Sequence, residues 1–335
     1  MNALRKIAYT LLLLLIALPI SAQRRERIGF YNIENLFDTI NDPSIEDHQM
    51  LPLSDLEWNS EKYQRKVKAI ARLIQDMDYP SIMGLAEVEN RRVIEDILRQ
   101  DELKHLPYDI CHFDSPDKRG IDVAMIFRSD SFRLSKAQAI RSQIGHRTRD
   151  ILLVDGYLHD KPLSIIVAHL PSRIGGERFT EPLRIDGAKQ IRALADSLIG
   201  QEADRGVIIM GDMNDNPKDR SIRLILRAQN RISPQTRVSE KAHYLYNPFA
   251  RLHRRGEGTT FYNGRWNMYD NIIVSENLLK WNLNQRAIKH YNIRPYIFRN
   301  AALLGQNGKP LPTYKGSVYM GGISDHLPIY IEIGL

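Results

Sequence analysis

The 335-residue chain carries 47 Lys and Arg against 40 Asp and Glu, a formal charge of +7, with 43% hydrophobic residues and one cysteine. A single thiol, Cys111, excludes an internal disulfide framework, so stability must come from a buried core, in which a lone strand Cys is expected to sit as a small apolar residue. The modest positive excess fits an acidic substrate such as nucleic acid or a phosphate ester without requiring one.

The N-terminus has the three parts of a secretory signal: Arg5 and Lys6, the apolar run "IAYTLLLLLIALPI", and "SAQ" with cleavage expected after Ala22. Its apolar part is too short to span a bilayer comfortably, and no Cys stands near the cleavage site to take a lipid. The expectation is an exported protein, periplasmic or secreted, with no transmembrane anchor. Removal of residues 1–22 takes Arg5 and Lys6 with it, lowering the formal charge from +7 to +5. Residues 23–335 contain no linker-like tract, low-complexity block or short repeat, which predicts one domain.

In chain order, β-branched apolar runs bounded by turn residues predict strands at 27–33, 81–86, 121–128, 151–158, 162–169, 206–211, 268–275 and 327–333. Tyr63, Val67, Ile70, Ala71 and Ile74 recur at helical spacing within 60–77 and form one apolar stripe. Shorter helical patterns cover 90–100, 181–199 and 218–228. A β-α-β-α opening followed by strands with few helices favours a mixed sheet system over a doubly wound parallel sheet. Stretches 38–57, 229–258 and 295–324 are too long for ordinary connections, so they are expected to be functional or to cover something. The basic stretches 141–150 and 251–258 have the charge to track phosphates, but no aromatic residues interleave with them, which favours solvated loops.

Five strands begin or end at an acid, an Asn or a His. Asn32 and Asn35 follow the first, Glu87 and Glu89 the second, and His169, Ser172 and Arg173 close a third. Asp212, Asn214 and Asp215 follow "VIIM", and Asp325 and His326 precede the last strand. Turn capping explains each Asn or Asp singly, and Glu89 reads as a solvated residue leading a helix. Together they are the residue types that metal-assisted phosphoester hydrolysis requires, placed where rigid sheets usually present catalytic groups.

The set "YNIENLF", "GLAEVEN", "VAHLPSR", "GDMND", "YDNIIVS" and "SDHLP", in this order from about residue 27 to 335, resembles the endonuclease/exonuclease/phosphatase superfamily, the DNase I-like phosphoesterases. The resemblance implies a four-layered α/β sandwich, two packed mixed sheets flanked by helices, hydrolysing a phosphoester with an activated water and Mg2+, with Mn2+ or Ca2+ effects common. It implies that Glu87 ligates the metal, that Asn32 helps bind metal or phosphate, and that Asp270 orients His326. Asp325 then serves as a second metal-side or phosphate-side group. It matches His169 to a second catalytic His and Asp122 to the acid that pairs with it, against which an edge or surface position for Asp122 stands equally. Ser172 and Arg173 are expected at the phosphate, Arg173 as a bidentate donor.

His326 is the candidate base or transition-state donor, because imidazole changes charge near neutral pH. If the extended geometry persists past the strand, Asp212 and Asn214 lie on one side: Asp212 to orient or deprotonate water, Asn214 to donate its amide to a phosphate oxygen. Asp215, with Asn216 and Pro217, is expected to cap a helix starting at about 218. The expected function is an exported metal-dependent phosphodiesterase, a nuclease on extracellular DNA or RNA. Its alternatives are a phosphoesterase on lipid headgroups or small esters, and a catalytically inactive binding module on the same fold. No specific protein partner is implied.

Overall fold

The computed structural model describes residues 25–145, 147–202, 204–231, 243–281 and 293–334. The expected signal segment lies outside the described residues, as do residues 232–242 of the long stretch 229–258. The first elements are β1 (Arg25–Leu36), α1 (Ser60–Asp76), β2 (Ile82–Val88), α2 (Arg91–Leu98), β3 (Tyr108–His112) and β4 (Asp122–Arg128). Then come β5 (Phe132–Ile140), β6 (Ile151–Leu158), β7 (Lys161–His169), α3 (Glu177–Gln201) and β8 (Gly206–Asp212). Short pieces follow: β9 (Ala228–Gln229), β10 (Leu245–Tyr246), α4 (Phe249–Arg254), β11 (Thr260–Tyr262) and β12 (Arg265–Asn267). The chain closes with β13 (Asp270–Ser275), α5 (Glu276–Lys280), β14 (Ile293–Ile297), β15 (Tyr314–Lys315), β16 (Val318–Tyr319) and β17 (Ile329–Gly334).

Two mixed sheets result. The first runs β14-β17-β1-β2-β4-β3 and the second β5-β6-β7-β8-β13-β10-β9. Phe30, Met125, Val154, Ile165, Met210, Ile272 and Ile331, drawn from both sheets, form the layer between them. The predicted stripe Tyr63, Val67, Ile70, Ala71 and Ile74 of α1 packs on the outer face of the first sheet, against Ile33, Leu85 and Ile126. Ala188, Ile191, Ala195 and Leu198 of α3 cover the outer face of the second, against Ile166 and Ile209. Helix, sheet, sheet, helix is the expected four-layered α/β sandwich. Among the described residues no helix is long and apolar enough to cross a membrane.

The elements form for local reasons. Asn59 caps α1 by accepting from the Lys62 amide, and Asn90 caps α2 by accepting from the Val93 amide. The longer strands absent from the sequence reading, β3, β5 and β14, are edge strands of the two sheets, where one rim faces solvent and the apolar alternation is diluted. Cys111 is buried in one of them, β3. The helix expected over 218–228 shrinks to one wide turn, Ser221–Ile225. Asx-type bonding among Asn216 and Asp219 occupies its approach, and Arg227 ends it in a left-handed conformation at φ 54.

Candidate active site

The sheet register carries the site. Strands β1 and β2 run parallel with Asn32 opposite Ala86, and β7 and β8 run parallel with His169 opposite Asp212. Strand β13 pairs antiparallel with β8 so that Asp270 also faces Asp212. The C-terminal ends of four strands and the start of a fifth therefore meet at one rim. Gly211 is needed there for closeness, not for a turn: its backbone has φ 157, and a Cβ would stand 1.8 Å from the Ala168 carbonyl oxygen.

Glu87 is the residue at which the register of β2 against β4 slips, between Ala86 and Val88, and it is left-handed at φ 65. A bulge of this kind re-aims a side chain that strict alternation would direct elsewhere. Glu34, Asn35 and Asn214 are also left-handed, at φ 49, 49 and 50, which places four strained non-glycine residues around one site.

Asn32 ties the centre together. Its amide nitrogen donates to Glu87 Oε1 at 3.1 Å and to Asp212 Oδ2 at 3.0 Å, while its Oδ1 accepts from the Glu34 amide. It thus turns N–H groups, not a carbonyl oxygen, toward the acids, and acts on any bound cation through them. The Asn35 amide holds Glu87 Oε2 at 2.9 Å and the Asn214 amide holds Asp212 Oδ1 at 2.9 Å.

Two histidines face these acids. His326 donates from Nδ1 to Asp270 Oδ2 at 2.7 Å, which turns its Nε2 toward Asp212 Oδ2 at 3.8 Å and Asp325 Oδ1 at 4.0 Å. His169 Nε2 stands 3.6 Å from Asp212 Oδ2 and 3.9 Å from Glu87 Oε1. Burial alone would push the His326 imidazole down, but the Asp270, Asp212 and Asp325 carboxylates outweigh it and hold the ring well above the usual histidine range. Burial, then Arg149, Arg119 and His326, holds His169 well below that range. The two imidazoles of the centre are thus pushed in opposite directions. Burial raises Asp212 to about 7.

Several expected residues sit differently. Asp122 does not meet His169: its Oδ2 lies 3.2 Å from His112 Nε2, its Oδ1 accepts from the Ser115 amide, and His169 Nδ1 is buried without a hydrogen-bond partner among the described residues. His112, ten residues upstream and invisible as a partner in sequence, stands at ion-pair distance from the acid instead. Arg173 is not aimed at substrate. Its Nε donates to the Asn214 carbonyl oxygen at 2.7 Å, Nη2 bridges Asp215 at 2.7 Å and Asp219 at 2.5 Å, and Nη1 meets Glu177 at 2.7 Å. With every guanidinium nitrogen engaged, Arg173 is a strut beneath the 212–219 loop. Ser172 uses its hydroxyl to accept from the Ile174 amide at 3.3 Å.

Asp215 caps no helix. It is 2% exposed and pairs with Arg173 and with the fully buried Arg184. Extended geometry stops at Asp212, so alternation does not place Asn214; its amide nitrogen donates to the Leu170 carbonyl oxygen at 2.9 Å. Glu89 is 6% exposed, not solvated, and accepts from the Asp38 amide and the Asn90 side chain. Asp325 is at the rim, its side chain 56% exposed.

Two residues of the site escaped the sequence reading. Glu34 accepts from the Thr313 and Asp325 amides at 2.8 and 3.0 Å, which fastens the segment before His326, and burial raises its carboxyl to about 7. Lys66, 3% exposed on α1, donates to the Glu34 carbonyl oxygen and to Thr313 Oγ1. A buried lysine on an otherwise apolar stripe was the available signal. Beside this corner lies a cavity of about 260 Å³ lined by Glu34, Asn35, Gln49, Arg119 and Tyr314, so the long stretches 38–57 and 295–324 do wall something.

Asp212, Asp270 and His326 offer ligand atoms within 4.8 Å of one another. Asp270 Oδ2 is committed to His326 Nδ1 while its Oδ1 is buried without a hydrogen-bond partner among the described residues, and Glu87 and Asp212 meet at the Asn32 amide. That donor set is oxygen-rich, and buried carboxylates with an unpartnered oxygen suit a hard cation. The residues therefore fit a divalent ion.

A two-sheet α/β sandwich with an acid, amide and imidazole cluster at the strand ends is the DNase I-like phosphoesterase architecture. The chain belongs to the Endonuclease/Exonuclease/phosphatase family, whose model matches residues 27–334. A truncated TDP2 from Caenorhabditis elegans superposes with a TM-score of 0.58 at 15% identity, over 93% of this chain and 98% of that one. D. rerio TDP2 complexed with a single-strand DNA product gives 0.53 at 15%, over 92% and 98%. A mannosyl-6-phosphatase from Bacteroides thetaiotaomicron gives 0.53 at 15%, over 91% and 98%. No curated protein matches the sequence.

Proposed function

We propose that the protein is an exported, Mg2+-dependent phosphodiesterase that cleaves nucleic acid, DNA or RNA, outside the cell. The observation that carries this reading is the pair of buried histidines on either side of Asp212, His326 Nε2 at 3.8 Å and His169 Nε2 at 3.6 Å, with His326 backed by Asp270 at 2.7 Å. Pairs of titratable groups whose surroundings push them apart mark acid and base roles. Held by Glu87, with Asp325 at the rim, Mg2+ would supply Lewis-acid stabilisation of charge on the phosphate.

The chain's own groups do the rest. Asp212, titrating near neutral pH, is suited to accept a proton from the attacking water. His326, kept protonated by Asp270, donates from Nε2 to the phosphate as negative charge develops and gives its proton to the leaving oxygen as the P–O ester bond breaks. Neutral His169 offers Nε2 as a second hydrogen-bonding group, and two such groups suit a diester, which keeps a substituted oxygen on each side of phosphorus. Asn32 and the Asn35 and Asn214 amides fix the carboxylates, so little reorganisation is needed during reaction.

The test is to incubate the mature chain with plasmid DNA, RNA, sphingomyelin and bis(p-nitrophenyl) phosphate, with Mg2+ and with chelator. The reading expects nucleic acid and the aryl diester to be cleaved, and only with metal. Turnover of lipid alone would overturn it, and Ile174 and Phe179, 82% and 83% exposed just beyond the His169 strand, are the feature that such a lipid substrate would use. Turnover unaffected by chelator would overturn the metal mechanism.

A further inference from the structure

The basic stretch 251–258 reads in sequence as a solvated loop. In the fold, α4 brings it against the segment that leaves the catalytic strand β8. A second cavity, of about 290 Å³, opens between them, lined by Lys218, Arg223, Gln229, Asn230, His253 and Arg254 among others. No carboxylate lines it. Arg223 and Arg254 are exposed, and among the described residues neither side chain, nor that of Lys218, has an acidic partner within salt-bridge distance. By contrast, Arg173 and Arg184, which hold Asp215 in the same loop, are both paired with acids.

Unpaired cations converging on a concave surface with amides and no acid are a site for an anion. The place in the chain says which anion. Lys218 lies four residues beyond Asn214, a separation of at most roughly 14 Å even if fully extended. A strand in duplex geometry advances by about 3.4 Å per nucleotide, so Lys218 at the cavity lies within a few nucleotides of the reacting phosphate. We propose that Lys218, Arg223 and Arg254 form a second phosphate site that grips the backbone of a nucleic acid strand a few nucleotides from the bond being cut. The proposal rests on the nuclease reading for the identity of the strand, and on the cavity for the site itself. It makes the substrate a polymer that must extend past the catalytic centre on the β8 side, and it gives the chain affinity that a single phosphodiester does not gain.

The experiment measures binding of a short fluorescent oligothymidylate to the full mature chain in chelator, so that no cleavage occurs, across a salt series. Both arginines are exposed, so the double variant Arg223→Gln/Arg254→Gln is expected to fold. Each phosphate neutralised on single-strand binding releases counterion and contributes about 0.7 to the slope of log affinity against log salt, so losing two contacts flattens it by about 1.4. Affinity is expected to fall at least about tenfold. The control Arg72→Gln/Lys104→Gln removes the same charge from exposed residues on other elements and is expected to leave the slope within error of wild type. An unchanged slope in the cavity variant, or an equal loss in the control, overturns the site.

Hydrolysis of bis(p-nitrophenyl) phosphate with Mg2+ separates this inference from the reading beneath it. A chain that hydrolyses the aryl diester but binds no oligonucleotide overturns the second site and leaves the phosphodiesterase standing. One that binds oligonucleotide through these arginines yet hydrolyses nothing supports the site and overturns the enzyme. Inorganic phosphate as competitor distinguishes a polymer track from a single-anion pocket: displacement of the strand only at high phosphate supports the track, and displacement at low phosphate overturns it.

Discussion

Substituting Asp270→Asn isolates the acid behind His326. The two side chains are 1% and 9% exposed and meet at 2.7 Å, so the bond is charge-assisted and shielded from solvent. Asparagine keeps the shape and one acceptor but removes the charge. A hydrogen bond to a charged group contributes about 1.5–3 kcal/mol, which for an interaction strengthened in the transition state is roughly a 10- to 150-fold loss in kcat.

The pH dependence changes as well. His326 sits above its ordinary range because carboxylates outweigh burial, and Asp270 is the foremost of them. If the imidazolium is the working form, wild-type activity falls as pH rises through the raised value, and in Asp270→Asn that fall moves to lower pH. The stability sign follows. A raised imidazole contributes stability that is full below the ordinary histidine pKa and fades as pH rises through the folded value, so the variant's urea-denaturation penalty is largest in acid and shrinks in alkali. The assay is kcat against pH with bis(p-nitrophenyl) phosphate and saturating Mg2+. A variant within twofold of wild type, with its alkaline limb unmoved, would refute the role of the pair.

Other outcomes follow from single contacts. Glu87→Gln should raise the Mg2+ concentration for half-maximal turnover by at least about tenfold, read by metal titration, because a direct ligand should matter no less than the groups that orient one. Arg173→Gln should cost about 3–5 kcal/mol in urea denaturation, because the buried Asp215 loses one of its charged partners; a rise in KM with unchanged stability would instead return Arg173 to the phosphate. Glu89→Gln should stabilise the protein near neutral pH. Burial raises Glu89 to about 8, so between its ordinary range and that value the folded state holds the extra proton and wild-type stability falls with pH, by up to about 1.4 kcal/mol per pH unit. Urea midpoints from pH 5 to 8 check this, and a parallel pH profile in wild type and variant would contradict it.

Much of the fold was legible because the strands that bury both faces announce themselves as continuous apolar runs, and α1 as a stripe. The layers follow from those. The chemistry-bearing residues were legible as a set because strand ends collect them: Asn32, Glu87, His169, Asp212, Asp270 and His326 come together through the register of β1 with β2 and of β8 with β7 and β13. What was not legible depended on partners distant in sequence. Asp122 was matched to His169, yet His112 on the adjacent edge strand lies closer. Asp215 and Arg173 read as turn and phosphate residues, yet Arg184 on α3 draws both into one buried network. Glu87 is aimed by a bulge that no periodicity encodes. The basic stretch 251–258 gained meaning only when the fold set it against Lys218 and Arg223.

The central claim is that these residues form a metal-dependent phosphodiesterase with His326 as its protonated donor. The most direct measurement is turnover of bis(p-nitrophenyl) phosphate by the wild-type mature chain and by His326→Ala, each with Mg2+ and with chelator. Turnover in wild type with Mg2+ alone, lost in chelator and reduced by at least about a hundredfold in His326→Ala, is what the account predicts. Turnover in wild type that survives the chelator, or in His326→Ala that matches wild type, would contradict it.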